Sequence, residues 1–231
     1  MMKKYSSNSE VLQRYLCCRD QTIIDVGCGN GDTVRWLAEQ GARVTGLDSR
    51  EMLVKARANP VSGTEKYLEG GAQRLPFADE SADSILYLAS FHHVPVESMA
   101  AAARECLRVL KNGGSAVFVE PVYRTGAYCE VTSLVDNEED ILKKAYATIT
   151  SLADTGLVMK AEEFFHLERS FSDYVHMLEF FVDDALRREA ILAQARTITE
   201  NFSTAAGKKF ADFRYGSICR LNILVKNNEQ T

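Results

Sequence analysis

Residues 22–32 read Thr-Ile-Ile-Asp-Val-Gly-Cys-Gly-Asn-Gly-Asp. Ile23, Ile24 and Val26 are apolar and β-branched, a short buried-strand signal. The run ends at once in Gly27, Gly29 and Gly31, and a helical pattern follows from Thr33 through Val34, Trp36 and Leu37. Strand, glycine turn and helix in that order form a site for a nucleotide-type cofactor. Glycine permits positive φ and close approach of a ligand to the backbone. The first turn of the new helix offers unpaired N–H groups. A second strand signal, Val44-Thr-Gly-Leu-Asp48, ends in an acid 21 residues after Gly27. That is about where dinucleotide folds place the carboxylate that grips ribose hydroxyls.

Spacing separates two cofactor classes. The dinucleotide fingerprint is G-x-G-x-x-G; here the order is G-x-G-x-G behind Asp25, and Asp32 stands where the third glycine of the dinucleotide pattern would be. The chain resembles the class I S-adenosylmethionine-dependent methyltransferases, whose first motif is D/E-x-G-x-G-x-G. Further segments resemble that family in order and spacing. They are Gly46-Leu47-Asp48, Gly70-Gly-Ala-Gln-Arg-Leu-Pro-Phe77 with Asp83-Ser-Ile-Leu-Tyr-Leu88, and Leu107-Arg-Val-Leu-Lys-Asn-Gly-Gly114 before Ala116-Val-Phe-Val-Glu-Pro121. Phe91-His-His-Val-Pro95 resembles the small-molecule branch that includes quinone C-methyltransferases. The likeness covers roughly residues 20–121.

Along the chain, strands are expected at 22–27, 42–47, 65–69, 83–89 and 114–120 and helices at 33–40, 50–58 and 97–111, with Asn112-Gly113-Gly114 capping the last. A leading helix spans Ser9–Cys17. Alternation of this kind gives an α/β fold with a parallel sheet and helices on both faces. Beyond 121, a helix begins near Asp136 and ends before Gly156, 161–171 reads as a strand, and Tyr215–Lys226 reads as the last strand. The resemblance implies a Rossmann-like seven-stranded sheet, strands one to six parallel and strand seven antiparallel. The stretch 172–214 then becomes a helical insertion between strands six and seven, with both ends at the carboxyl edge, where ligands bind. Together with 122–136 it is a candidate substrate cap; a surface or dimer-forming hairpin is the alternative. One domain over 1–231 is expected, with 22–121 as its cofactor-binding core.

Composition is that of a globule: 231 residues, 46% apolar, 26% charged and a net charge of −5. No basic run suggests a nucleic-acid partner. The Met1-Met-Lys-Lys-Tyr-Ser-Ser start has no apolar core of a signal peptide, and no run approaches the ~18 residues of a membrane span, so a cytoplasmic location is expected. The six cysteines lack C-x-x-C spacing and are expected as thiols. The four histidines form no H-E-x-x-H or comparable cluster, and no metal is expected.

Candidate cofactor-binding residues are Asp25, Gly27, Cys28, Gly29, Gly31, Asp48, Ser49, Met52, Ala72, Gln73 and Ala89. The resemblance implies that Asp48 accepts from the ribose hydroxyls, with a helix cap as its alternative, and that Asp25 supports the methionine amino group or else braces the turn. It also implies that Met52 packs on adenine or belongs to the core. Cys28 is a small side chain filling the turn, or a redox group. The family's adenine-binding Asp is replaced by Gly71; the N–H of Ala72 and the side chain of Gln73 are its stand-ins. Candidate catalytic residues are His92, His93 and Glu120. A histidine there suits general-base work, or it caps the next helix; Glu120 orients substrate or satisfies local N–H groups. The absence of a [D/N/S]-P-P-[Y/F/W] motif after strand four, and of a Pro-Cys nucleophile pair, favours a small organic acceptor. Two rivals are a non-catalytic S-adenosylmethionine- or S-adenosylhomocysteine-binding module serving a protein partner, and a nicotinamide oxidoreductase.

Overall fold

The computed structural model describes residues 2–59, 63–123, 138–171 and 213–227. The elements run β1 (Lys3–Tyr5), α1 (Asn8–Leu12), β2 (Thr22–Val26), α2 (Asp32–Glu39), β3 (Arg43–Asp48), α3 (Arg50–Ala58), β4 (Lys66–Glu69) and β5 (Ala82–Leu88). They continue through a 3₁₀ turn (Phe91–His93), α4 (Val96–Val109), β6 (Leu110–Pro121), α5 (Glu139–Ser151), β7 (Leu157–Phe171) and β8 (Phe213–Lys226). The strands form one sheet in the order β1-β7-β8-β6-β5-β2-β3-β4. β8 runs antiparallel to β6 and β7; every other pairing is parallel. From β2 the chain steps outward to β3 and β4, then returns to β5 on the other side of β2. The switch point therefore lies at the carboxyl ends of β2 and β5, where open α/β sheets bind ligands.

Side chains alternate across this sheet and build a core on each face. On one face Tyr87 stacks on Phe118 at 5.1 Å, and Phe91 meets both rings edge-on at 5.1 and 5.2 Å. Met99 of α4 and Ile149 of α5 close that layer. On the other face Val11, Val34, Leu37 and Leu53 from α1, α2 and α3 cover Ile23, Val44, Leu86 and Val117. The aromatic trio pins the turn that carries His92.

Several sequence expectations are corrected. Among the described residues the sheet has eight strands, where seven were expected; the addition is β1. Its Lys-Lys-Tyr gives no apolar alternation, so only tertiary pairing reveals it. It adds to β7 in register from Lys3↔Phe165 to Tyr5↔Leu167, Tyr5 packs on Phe165, and Lys3 and Lys4 pair with Glu163 and Glu168. Lysines are a common guard on an edge strand. The leading helix is only Asn8–Leu12, capped where Ser7 Oγ accepts from the Glu10 N–H at 3.2 Å. α4 ends at Val109, and Asn112-Gly113-Gly114 is not its cap. These residues lie within β6, where the ladder to β5 slips between Ala82 and Ser84. α5 starts at Glu139, and β7 begins four residues earlier than expected. The proposed cap segments fall almost entirely in 124–137 and 172–212, outside the described residues, and so does their expected helical character. The chain on either side of 172–212 is described. β7 and β8 stay paired to Phe171↔Phe213, past the end of β6 at Pro121↔Cys219, so both ends of that segment leave from the carboxyl edge.

Candidate active site

The glycine turn forms as its sequence requires. Gly27, Gly29 and Gly31 have φ of 74°, 57° and 80°, a region that L side chains rarely enter. The N–H groups of Gly27 and Cys28 donate to the carbonyl of Leu47 at 2.7 and 3.2 Å, tying the turn to β3. A methyl at Gly27 would lie 2.5 Å from the Cβ of Ser90. Ser90 Oγ donates to the Val26 carbonyl at 2.6 Å, which locks the ends of β2 and β5 together at the switch point. Asp48 ends β3 beside the turn. Its Oδ2 accepts the Gly29 N–H at 2.8 Å and its Oδ1 the Ser49 N–H at 2.7 Å. The cap of α3 is Ser49, whose Oγ accepts from the Met52 N–H at 3.4 Å. Asp48 is thus not the cap, and each carboxylate oxygen keeps capacity for a further donor.

Asp25 lies beneath the turn, 2% exposed, and its Oδ1 has no hydrogen-bond partner among the described residues. Burial and then the charge of Asp48 push its carboxyl up to about 7. An acid raised in the folded state binds its proton more readily there than in the unfolded chain. Stability must then fall as pH rises through the interval from the ordinary 3.8 to about 7. Denaturant titrations at several pH values should show this loss in the ligand-free protein and a flatter profile in Asp25→Asn. Equal pH dependence in the two proteins would remove Asp25 as its source.

The remaining cofactor candidates gather at the same edge. The Met52 methyl approaches the Gly29 backbone, 3.9 Å from where a Cβ there would stand. Ala72 is buried. The amide of Gln73 fills the space of a side chain at 71, since a Cβ on Gly71 would meet Gln73 Oε1 at 2.6 Å. Ala89, directly after β5, has φ 53°, and its N–H donates to the Val119 carbonyl at 2.6 Å. Cys28 is buried against Gly46, and burial, then Asp25 and Asp48, push its thiol well up. That opposes thiolate chemistry. Among the described residues Cys17, Cys18, Cys106 and Cys219 form no disulfide either; Cys129 lies outside the described residues.

Across the switch point, Glu120 at the end of β6 is 1% exposed. Its Oε1 accepts the N–H groups of Ser90 and Phe91 at 3.2 and 2.9 Å, and its Oε2 takes the Nδ1 of His92 in a short hydrogen bond. One carboxylate therefore holds both the backbone of the turn and the imidazole. Burial pulls the pKa of His92 down, but the hydrogen bond and charge of Glu120 and the charge of Glu138 outweigh it and raise it. The Nε2 of His92 points to Glu138 Oε1 at 3.8 Å, and the exposed ring of His93 lies 4.0 Å from that of His92.

Residues 24–118 match the methyltransferase domain family. Demethylmenaquinone methyltransferase of Chlorobaculum parvum is 40% identical over 45% of this chain and 42% of its own length. The chloroplastic 2-methyl-6-phytyl-1,4-hydroquinone methyltransferase of Arabidopsis thaliana is 33% identical over 54% of this chain and 38% of its own. The chain spans about half the length, or less, of these curated relatives. The fold aligns with YcgJ of Bacillus subtilis at a TM-score of 0.65 and 18% identity, over 95% of this chain and 97% of that one. It also aligns with an S-adenosylmethionine-dependent methyltransferase of Methanosarcina mazei at 0.58 and 18%, over 95% and 98%. Over residues 24–118 the chain is similar in sequence to the methyltransferase domain family, and its fold is that of solved methyltransferases.

Around this site the sequence reading missed Ser90, Tyr67 and Glu138. Ser90 had only its place after β5 to mark it. Tyr67 stands in β4 with its hydroxyl 2.5 Å from where a Cβ on Gly31 would lie, so Gly31 is enforced by packing as well as by φ. Glu138 precedes α5 and reaches His92 only through the fold; no spacing rule connects them.

Proposed function

We propose that the protein moves the sulfonium methyl of S-adenosylmethionine to a small organic acceptor by in-line displacement, within a single domain. The observation that carries this reading is the glycine turn with an unpartnered carboxylate oxygen of Asp25 beneath it and Asp48 beside it. Those groups fit the cofactor: a buried acceptor for its ammonium and a carboxylate with spare lone pairs for its ribose hydroxyls. Met52 would lie against adenine, with Ala72 N–H and Gln73 at the ring edge, and Ser49 and Ala89 would border the site.

Displacement from a sulfonium needs little activation, because the thioether leaves readily with the bonding pair. The chain's task is to align the acceptor atom with the methyl and exclude water. His92 and His93 would face the acceptor, and Glu120 positions His92. The segments 122–136 and 172–214 are the proposed cap, supported by the departure of 172–212 from the carboxyl edge. An acceptor with a ring, of the type the relatives' names describe, fits an aromatic-rich cap. The cytoplasm is the proposed location; among the described residues no helix is long and apolar enough to cross a membrane.

A ligand that binds only the folded state adds about 2.7 kcal/mol at 100 times its dissociation constant. For a chain of this size that is roughly 5–10 °C in melting temperature. S-adenosylhomocysteine should raise the melting temperature by that amount and NAD should not; the reverse would overturn the assignment. Methylated product formed from a metabolite extract separates an enzyme from a module that only holds the cofactor.

A further inference from the structure

We propose that His92, His93 and Glu138 form a site for one divalent transition-metal ion at the carboxyl edge, on the acceptor side of the switch point. One ligand atom from each lies within 4.8 Å of the other two. No sequence spacing foretells it, because the histidines are adjacent and Glu138 arrives from a later element.

Three features favour an ion over a chance gathering of polar groups. First, His92 Nδ1 is engaged by Glu120, itself held by two backbone N–H groups. Metal-binding histidines typically donate their second ring N–H to a carboxylate, which fixes the tautomer and aims the other nitrogen at the metal. Nε2 is the nitrogen left over, on a ring only 3% exposed. Second, Nε2 and Glu138 Oε1 are 3.8 Å apart, too far for a hydrogen bond. Two ligands each roughly 2.0–2.2 Å from one ion stand about 3.3 Å apart at a tetrahedral angle and at most ~4.4 Å apart. The observed gap falls inside that range. Third, burial is graded: His92 is buried, Glu138 intermediate and His93 exposed. A buried ligand at the base and an exposed one at the rim leave the ion a path in from solvent.

Two imidazoles and one carboxylate suit zinc, cobalt or ferrous iron better than magnesium, which takes oxygen ligands. Three protein ligands leave a position open, as in sites where the metal works on a substrate. The class of ligand it would take there is an anionic oxygen, such as the phenolate of an aromatic acceptor. That use rests on the methyl-transfer reading; metal binding does not.

The test uses the metal alone, without cofactor or acceptor. Tag-free full-length protein, stripped with a chelator, is titrated with Co²⁺ by visible absorption and with Zn²⁺ by calorimetry. One equivalent of each should bind. The cobalt spectrum should show d–d bands without the thiolate charge-transfer band that a cysteine site would give. His93→Ala with Glu138→Gln should abolish the stoichiometric binding while circular dichroism stays that of the parent. Glu120→Gln, which acts through His92, should weaken it by about 10- to 100-fold. Absence of saturable binding, a thiolate band, or unchanged binding in the double variant would each overturn the site. None of these results bears on whether S-adenosylhomocysteine binds, so the methyltransferase reading stands or falls separately.

Discussion

Gly27→Ala should lower stability by roughly 2–5 kcal/mol, a sum of two independent costs. The first is conformational: φ at Gly27 is 74°, and a left-handed backbone costs an alanine about 1–2 kcal/mol. The second is steric: the new methyl would stand 2.5 Å from Ser90 Cβ and 3.0 Å from Ser90 Oγ. Insertion into a packed site of that kind costs about 1–3 kcal/mol. Neither side can yield easily, since Ser90 is held through its hydroxyl to Val26 and through its N–H to Glu120. Against a typical total of about 5–15 kcal/mol, the loss is large. Urea denaturation measures it. Ser90→Gly in the same chain should recover the steric share and leave the conformational share, seen as a coupling energy in a double-mutant cycle. A Gly27→Ala midpoint equal to that of the parent would show that the two strand ends are not locked as described.

Asp48→Ala should weaken S-adenosylhomocysteine binding by about 10- to 100-fold, from the roughly 1.5–3 kcal/mol that hydrogen bonds to a charged acceptor contribute. The carboxylate acts twice. It accepts the Gly29 N–H at 2.8 Å, which shapes the turn, and by the proposed assignment its free lone pairs take the ribose hydroxyls. Ser49 remains as the cap of α3, so the helix should survive. Asp48→Asn separates the two roles: an amide oxygen can still accept from Gly29 but presents no charge to the ribose. Calorimetry should rank affinity as parent above Asn above Ala. Equal affinities would reduce Asp48 to a brace for the turn.

Much of this site was legible because its chemistry is local. Positive φ at Gly27, Gly29 and Gly31, an apolar strand before them and an acid closing the next strand are properties of short segments. Backbone sterics and side-chain period impose them wherever such segments fold. The α/β alternation was legible for the same reason. The elements that escaped are held by partners distant in sequence. β1 is three residues long, and its strand geometry comes from the ladder to β7 and the seat of Tyr5 on Phe165. Asn112-Gly113-Gly114 has the composition of a helix cap, yet the neighbouring β5 draws it into β6 as an irregular strand.

The His92 side of the switch point shows the same division. The sequence marked His92, His93 and Glu120 as polar groups at the ends of strands four and five, and gave Glu120 no preference between substrate and local N–H groups. Tertiary structure decided for the N–H groups of Ser90 and Phe91 and for the ring of His92, because β6 lies beside β5 and puts one buried carboxylate against all three. Only packing of α5 near the Phe91–His93 turn set Glu138 opposite His92. By itself, then, the sequence determined the glycine turn and the fold class, which depend on backbone conformation and periodicity. The strand order, the lock between Gly27 and Ser90 and the His92–Glu120–Glu138 constellation were decided by long-range contact, since burial and hydrogen-bond partners exist only once distant segments meet.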